Sequence, residues 1–413
     1  MAENNSDFDV AIIGGGAAGI AAARRLASSG LSTVLLEAGS RLGGRGWTHE
    51  IAGLALDLGC GWMHSAEKNA WVTIANDAGI QIDQSRAAWG QQYRDLGFSP
   101  AEQAAAHRNF DGWMHRLAEV RGTTDRASDA LDPKNPWNTY IRAIVGYISG
   151  AKLEDMSAAD YLAYDEASTE SNWRSPAGLG ALIAGSFPAG VELHLATPVQ
   201  AIGLDGPGVT ISTARGTLRT RAAVLTVSTV VLAGDVITLP VQLDPWREAA
   251  KLLPLGHNEK LFLEIVGDAP FEKEKQVLGN PRATCTGSYY VRPLDLPVVE
   301  CFLGGESARL AQEQGTSAAF AFALDQLSAL FGAEIRGKLR PLLASAWGRT
   351  VYVGGAYSYA LPGHASARQA LARPFDQRLF FAGEATHADE YSTAHGAHDT
   401  GIRAASEVIA ALA

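Results

Sequence analysis

The chain is expected to fold as an α/β protein, with a Rossmann-type dinucleotide-binding domain assembled from discontinuous segments and joined to an α+β second domain. Three observations predict this. An apolar run at residues 8–13 breaks into Gly14-Gly15-Gly16-Ala17-Ala18-Gly19, then runs through helical and strand-like patterning to a carboxylate at Glu37. Similar patterning returns at residues 191–232 and again near the C-terminus. Between these pieces lie stretches of a different character.

Each part of the first unit answers one need of a dinucleotide. Gly14 allows the tight turn, Gly16 lets the backbone approach the pyrophosphate, and Gly19 lets the following helix lie close on the sheet. The spacing predicts a helix over residues 17–29, stopped by Gly30, and its start at Ala17 and Ala18 offers free N–H groups and a positive dipole end to phosphates. A short strand is expected at residues 31–36. Glu37, eighteen residues after Gly19, stands where a carboxylate accepts both ribose hydroxyls. Its charge would repel a 2′-phosphate, so the dinucleotide is not NADP. Residues 83–188 carry helical spacing, as at 101–120 and 158–163. Residues 255–343 contain strand patterns at 260–266 and 298–303, then a helix at 317–331. The expected division is a cofactor domain from residues 1–82, 189–254 and 344–413, with a substrate domain from 83–188 and 255–343. The pocket is expected between them.

A chain of 413 residues at 47% hydrophobic can bury a large core, and a net charge of −10 argues against nucleic acid or an anionic membrane as the main partner. Residues 1–9 are polar and acidic, unlike a signal peptide, and the C-terminus carries no hydrophobic tail. The apolar stretch 222–241 is interrupted by Gly234, Asp235 and Pro240, and reads as a buried strand and turn rather than a membrane span. Cys60, Cys285 and Cys301 form no even framework and no CxxC, which suits a reducing compartment. A cytoplasmic protein is expected. His387, Asp389, His395, His398 and Asp399 invite a metal reading, but they read better as packing around a helix start, and no metal is expected.

Further motifs then line up in order. Ala38-Gly39-Ser40-Arg41-Leu42-Gly43-Gly44-Arg45 follows Glu37, and Leu56-Asp57-Leu58-Gly59-Cys60-Gly61-Trp62-Met63-His64 comes next. Phe380-Phe381-Ala382-Gly383-Glu384-Ala385-Thr386-His387 and Tyr391-Ser392-Thr393-Ala394-His395-Gly396-Ala397 stand near the C-terminus. Thr197-Pro198-Val199 and Ala223-Val224-Leu225-Thr226-Val227-Ser228 are weaker matches. Together they resemble the flavin-dependent amine oxidase family over nearly the whole chain. The resemblance implies FAD as cofactor, held by Gly14, Gly16, Ala17, Ala18, Gly19, Glu37, Ala38, Gly44, Arg45, Gly61, Trp62, Val199, Gly383, Glu384 and Thr393. In that reading Arg45 meets the phosphates, Gly61 and Trp62 lie beside the isoalloxazine, and the Val199 backbone meets the adenine. Glu384 is suited to a ribityl hydroxyl. A helix beginning near Thr393 would aim its dipole at the flavin N1/C2=O edge, where negative charge develops on reduction.

The resemblance also implies the catalytic groups. Lys260 shares a strand face with Phe262 and Glu264 by alternation; from the residues alone it reads as a solvated strand end, whereas the family has a lysine there that holds a water against flavin N5. Tyr357 and Tyr359, with Trp347 before them, are expected as aromatic walls that exclude water and orient the amine. Ala356 stands where one subgroup has a flavin-linking cysteine, so the FAD should be non-covalent. Thr393 replaces that subgroup's second aromatic and joins Tyr359 and Trp347 as a substrate-binding residue. Trp62-Met63-His64 is similar to the Trp-Ile-His of animal polyamine oxidases, where a histidine can hydrogen-bond a secondary amine or relay its proton. The expected reaction is hydride loss from the carbon beside a neutral amine nitrogen, giving an imine that hydrolyses, with O2 reduced to H2O2. The substrate is a polyamine or a primary monoamine. An L-amino acid oxidase would need an arginine clamp, for which Arg86, Arg94 and Arg292 are unplaced candidates. An amine dehydrogenase and a flavin-loaded scaffold are further alternatives. Asp389 and Glu390 are open as partners of a distal ammonium, and the oligomeric state is open, with a homodimer compatible.

Overall fold

In the computed structural model, which describes residues 6–413, the first apolar run forms the strand Phe8–Ile13 at the centre of a seven-stranded mixed sheet. Most of the polar start (residues 1–5) therefore lies outside the described residues. The path across the sheet is Glu192–His194, Thr33–Leu36, Phe8–Ile13, Gly216–Leu225, Val209–Thr213 and Val199–Gly203, with Leu379–Phe381 also paired to Gly216–Leu225. Phe8–Ile13 runs parallel to both neighbours, and Ile13 lies level with Leu36 and with Leu225, which in turn is level with Phe381. Four strands thus end at one edge, so the glycine turn, Glu37, Thr226 and Gly383-Glu384 all emerge together. That edge is where open α/β sheets bind ligands.

Helix Ala17–Leu26 crosses this sheet and packs on the last helix, Ala394–Leu412. Small residues allow the approach: a Cβ on Gly401 would sit 2.2 Å from the Ala18 carbonyl. The first helix ends three residues before the expected Ser29. There the Ser29 hydroxyl donates to the Leu26 carbonyl at 2.6 Å and turns the chain ahead of Gly30, whose φ is +80°. The strand after it begins at Thr33 rather than 31. The 222–241 stretch is a strand ending at Leu225, followed by the short helix Thr229–Ala233, which Ser228 caps. No helix among the described residues is long and apolar enough to cross a membrane.

The second sheet is antiparallel, in the order Lys275–Leu278, Gly287–Val291, Val298–Gly304, Asn258–Ile265, Leu339–Ala344. Alternation splits its two faces. Leu261, Leu263, Tyr289, Val291, Cys301 and Leu303 form a core with Ala308, Ala319, Ala323 and Leu327 of the helices Glu306–Gln314 and Thr316–Phe331. Lys260, Phe262, Tyr290 and Glu300 lie on the opposite face. Glu264 shares that face, but at the strand's outer end, where Arg340 binds it at 2.9 Å. The helical stretch forms Pro100–Val120, begun by a Ser99/Glu102 capping box, then Asn138–Ser149 and Ala158–Ala167, around a core that includes Trp113, Ile141 and Tyr161. A hairpin not expected from the sequence, Thr48–Ile51 with Leu54–Asp57, leads into the turn at Gly59-Cys60-Gly61.

Candidate active site

The glycine turn is built for a close approach. A Cβ on Gly19 would stand 1.9 Å from the Gly14 carbonyl oxygen, and Gly14 itself has φ +109°. Gly16 caps the helix without a side chain, and no acidic residue occupies the first turn, so the N-terminal N–H groups face outward uncompensated. Thr226, from the strand alongside, donates its hydroxyl toward the Ile13 and Gly14 carbonyls at 3.0 and 2.9 Å and fixes the turn. Glu37 accepts from the N–H groups of Gly15 and Gly39, both at 2.6 Å, and each oxygen keeps a lone pair that a ribose hydroxyl can use. Ala38 continues this loop. The N–H of Thr197 donates to the Glu37 carbonyl at 2.8 Å, which brings Val199 alongside. Gly44, at φ +56°, leaves 3.0 Å between its would-be Cβ and Gly16 Cα. A glycine cradle, a bare helix start and an anchored carboxylate are what a dinucleotide needs, and these residues fit one.

Arg45 links that cradle to the last motif, donating to the Ala356 carbonyl at 2.5 Å and to Glu384 at 2.9 Å. Burial would push the Glu384 carboxyl up, but the charges of Arg45 and Arg368, with bonds from Ser358 and Ser392, outweigh it and hold the group below the usual carboxylate range. Behind it, Arg368 is 1% exposed and forms a two-pronged pair with Asp160 at 2.6 and 2.8 Å, while donating to Ser358 Oγ at 2.9 Å. The Tyr391 ring lies 3.4 Å from this guanidinium.

Lys260 reaches the Gly59-Cys60-Gly61 turn from the middle of its strand. It is buried rather than a solvated strand end. Its ammonium donates to the Asp57 carbonyl at 3.2 Å and pairs with Glu300 at 3.0 Å. Trp62 projects nearby against Trp89 and Tyr290, with ring centroids at 4.5 and 6.1 Å, and Arg174 covers its face at 4.6 Å. Arg174 is anchored by Asp83 at 2.6 Å and Glu274 at 3.0 Å. Backbone bridges pair Met63 with Trp173 and Asp83 with Arg174, so Trp62, His64, Asn172 and Arg174 share one face. His64 sits 2.6 Å from Asn172 Oδ1. Burial pushes its pKa down, the Asn172 bond offsets part of that, and the Lys260 charge lowers it further. A neutral imidazole results.

Residues 17–110 and 99–409 match the family model described as flavin containing amine oxidoreductase. The chain belongs to that family. Among its relatives, polyamine oxidase 2 of Arabidopsis thaliana is 26% identical over 96% of this chain and 87% of its own length. Pseudooxynicotine dehydrogenase of a Pseudomonas species is 27% identical over 64% of this chain and 60% of its own. A solved structure of putrescine oxidase bound to putrescine has the same fold, with a TM-score of 0.76 at 18% identity, over 98% of this chain and 99% of that one. This flavin-containing amine oxidoreductase uses FAD and oxidises an amine.

Within this amine oxidoreductase the structure gives several expected site residues the following contacts. Trp347 is a packing residue: its ring nitrogen donates to the Leu58 carbonyl at 3.1 Å, and it lies among Leu56, Leu58, Phe262 and Val298. Tyr359 packs on the helical core around Trp113 instead of facing the sheet. The Thr393 hydroxyl donates to the Glu390 carbonyl at 2.6 Å and accepts from the Gly396 N–H at 3.0 Å, so it caps the last helix. Tyr357 is half-buried, and its hydroxyl is tied to the Tyr147 carbonyl at 2.5 Å. Burial drives its pKa upward, so the hydroxyl stays protonated. Of the three arginines left open for a carboxylate clamp, Arg86 is exposed, and Arg94 and Arg292 pair with Glu272 and Asp295. His387, Glu390 and Asp399 lie close together, but the His387 Nδ1 accepts from the Glu390 N–H at 2.9 Å and Glu390 is paired with Lys68. Sequence reasoning missed Glu300, Tyr290, Trp89, Asn172, Arg174, Arg368 and Asp160. Only Glu300 carried a readable signal, since a carboxylate inside an apolar strand pattern demands a partner.

Proposed function

We propose that the chain oxidises a polyamine or a primary monoamine at the carbon beside nitrogen, with O2 as acceptor and H2O2 as product, through a non-covalent FAD. When bound, FAD supplies the redox chemistry by taking a hydride from that carbon, after which the imine hydrolyses in water and O2 carries the electrons away. The observation that carries this reading is Lys260, a buried ammonium at the turn that also presents Gly61 and Trp62. Its role is to hold a water at the flavin edge. His64, two residues beyond Trp62, is the proton handler in this reading. The Asn172 amide nitrogen donates to the Glu170 carbonyl at 2.9 Å, so Asn172 Oδ1 faces His64 and takes its Nδ1 hydrogen, which leaves Nε2 free to accept from an amine. Tyr357 and Trp89 offer ring faces that keep water away from the amine and favour a polarised nitrogen, while the rings of Trp62 and Tyr290 are covered by Arg174. The family's polyamine oxidases support the substrate class. Ala356 supports non-covalent FAD because no sulfur is available at that position, and three free cysteines suit a cytoplasmic location.

The test is anaerobic mixing of the yellow protein with putrescine, spermidine, benzylamine and an L-amino acid, following the flavin absorbance. Bleaching by an amine, recovery in air and peroxide release are expected. Bleaching by the amino acid alone would replace the amine reading. Recovery only with an added electron-carrier protein would replace O2 as acceptor.

A further inference from the structure

Lys260 takes its counter-charge from the neighbouring strand. Phe302 opposes Lys260 and Glu300 opposes Phe262, so Lys260 and Glu300 are diagonal neighbours on one face. Their charged ends meet at 3.0 Å, with the side chains 9% and 20% exposed. Gly61 closes the slot, because a Cβ there would lie 3.3 Å from the ammonium. The other nearby carboxyl, Asp57, is committed elsewhere: it accepts from the Thr48 hydroxyl at 2.5 Å and from the Leu179 and Gly180 N–H groups at 2.9 and 3.1 Å. Glu300 has Lys260 as its only ion-pair partner among the described residues.

We infer that Glu300 is a positioning residue that holds the Lys260 ammonium in this slot and balances its charge beside the flavin. The inference rests on the reading above that Lys260 faces the flavin edge. Charges this close look nearly neutral from the other side of the slot, whereas either one alone acts at full strength in a poorly solvated place. Two-electron reduction places negative charge on the isoalloxazine. An uncompensated Lys260 therefore favours the reduced state, and an uncompensated Glu300 disfavours it.

The experiment is an anaerobic titration of the holoenzyme against a redox dye, for wild type, Glu300→Gln, Lys260→Met and the double variant. Glu300→Gln should raise the midpoint potential by roughly 30 mV, a tenfold change in the two-electron equilibrium. Lys260→Met should lower it, and adding Glu300→Gln in that background should bring it back toward the wild-type value, because the lone carboxylate is then removed. No shift in Glu300→Gln, or a double variant that stays at the Lys260→Met potential, overturns the inference. If Glu300→Gln does not retain FAD, Glu300→Asp decides. That variant keeps the charge, so a potential close to wild type supports the inference, and a changed potential or loss of FAD overturns it. The amine mixing experiment is independent: wild type that no amine bleaches, yet whose potentials follow the cycle, would sink the proposed substrate and leave the Glu300 role standing.

Discussion

His395 sits at the start of the last helix, buried, with Asn69 Nδ2 at 3.3 Å from its Nδ1 and the Glu390 carboxylate 3.6 Å from its Nε2. Burial lowers its pKa to about 4, against the partial offset from Glu390. Because the folded value lies below the ordinary 6.5, the unfolded chain takes up the proton first, and stability is lost as pH falls from 6.5 toward 4. His64 is shifted the same way and adds to the slope. Thermal unfolding followed between pH 6.5 and 5, before most carboxylates titrate, should therefore show a falling midpoint, and His395→Asn should flatten that fall. An unchanged slope in the variant would remove His395 as its source. At this scale the sequence was read unevenly. Lys260 and His64 were singled out by the family resemblance. Asn172 was not, because it stands 108 residues from His64 along the chain and the two meet only where the segment around Trp173 pairs with that around Met63.

The glycine turn is the element whose sequence meaning survived folding with least change. Its spacing gave the strand, the turn and the helix start, and the structure adds the distances: Gly19 lies so close to Gly14 that an added methyl would overlap the carbonyl. Gly19→Ala should destabilise the protein by about 1–3 kcal/mol through overpacking and weaken FAD retention. Gly185→Ala, at a glycine with open space and an ordinary backbone, should do neither. Chemical denaturation and FAD release on dilution would check the pair; similar losses in both variants would rule out a steric cause at Gly19. Element ends were harder to read. The first helix stops at Leu26 because Ser29 turns back on it, and serine is as compatible with a helix as with its exit. The Tyr357–Tyr359 segment showed its alternation but not its neighbours, and the helical core captured Tyr359.

Across the whole molecule, one buried network ties the helical stretch to the cofactor motifs. Asp160 leaves the helix Ala158–Ala167, pairs with Arg368 and accepts the Ala360 N–H at 2.9 Å, while Ser358 carries the connection to Glu384 and Arg45. The Tyr391 hydroxyl closes it by donating to the Asp160 carbonyl at 2.9 Å. Breaking a buried pair from one side leaves a stranded charge. Asp160→Asn should therefore cost about 3–5 kcal/mol. The same variant should also loosen FAD, because Arg368 helps hold Glu384 ionised. Urea unfolding of apo and FAD-loaded forms tests both parts: a large loss in the apo form and a smaller gain on adding FAD are expected. An apo stability equal to wild type would show that the pair contributes nothing.

The sequence by itself determined the dinucleotide unit and the order of the flavin motifs, because each depends on residues near one another in the chain or at motif spacing. It also determined that a thioether cannot form at Ala356. Only the tertiary structure decided which groups meet. Lys260 and Glu300 come from different strands, Trp62 from a loop and Tyr290 from a strand, and Asp160 and Arg368 from helices 208 residues apart. Such pairings depend on strand register and helix packing, and local patterning can say that a buried charge needs a partner without saying which one it meets.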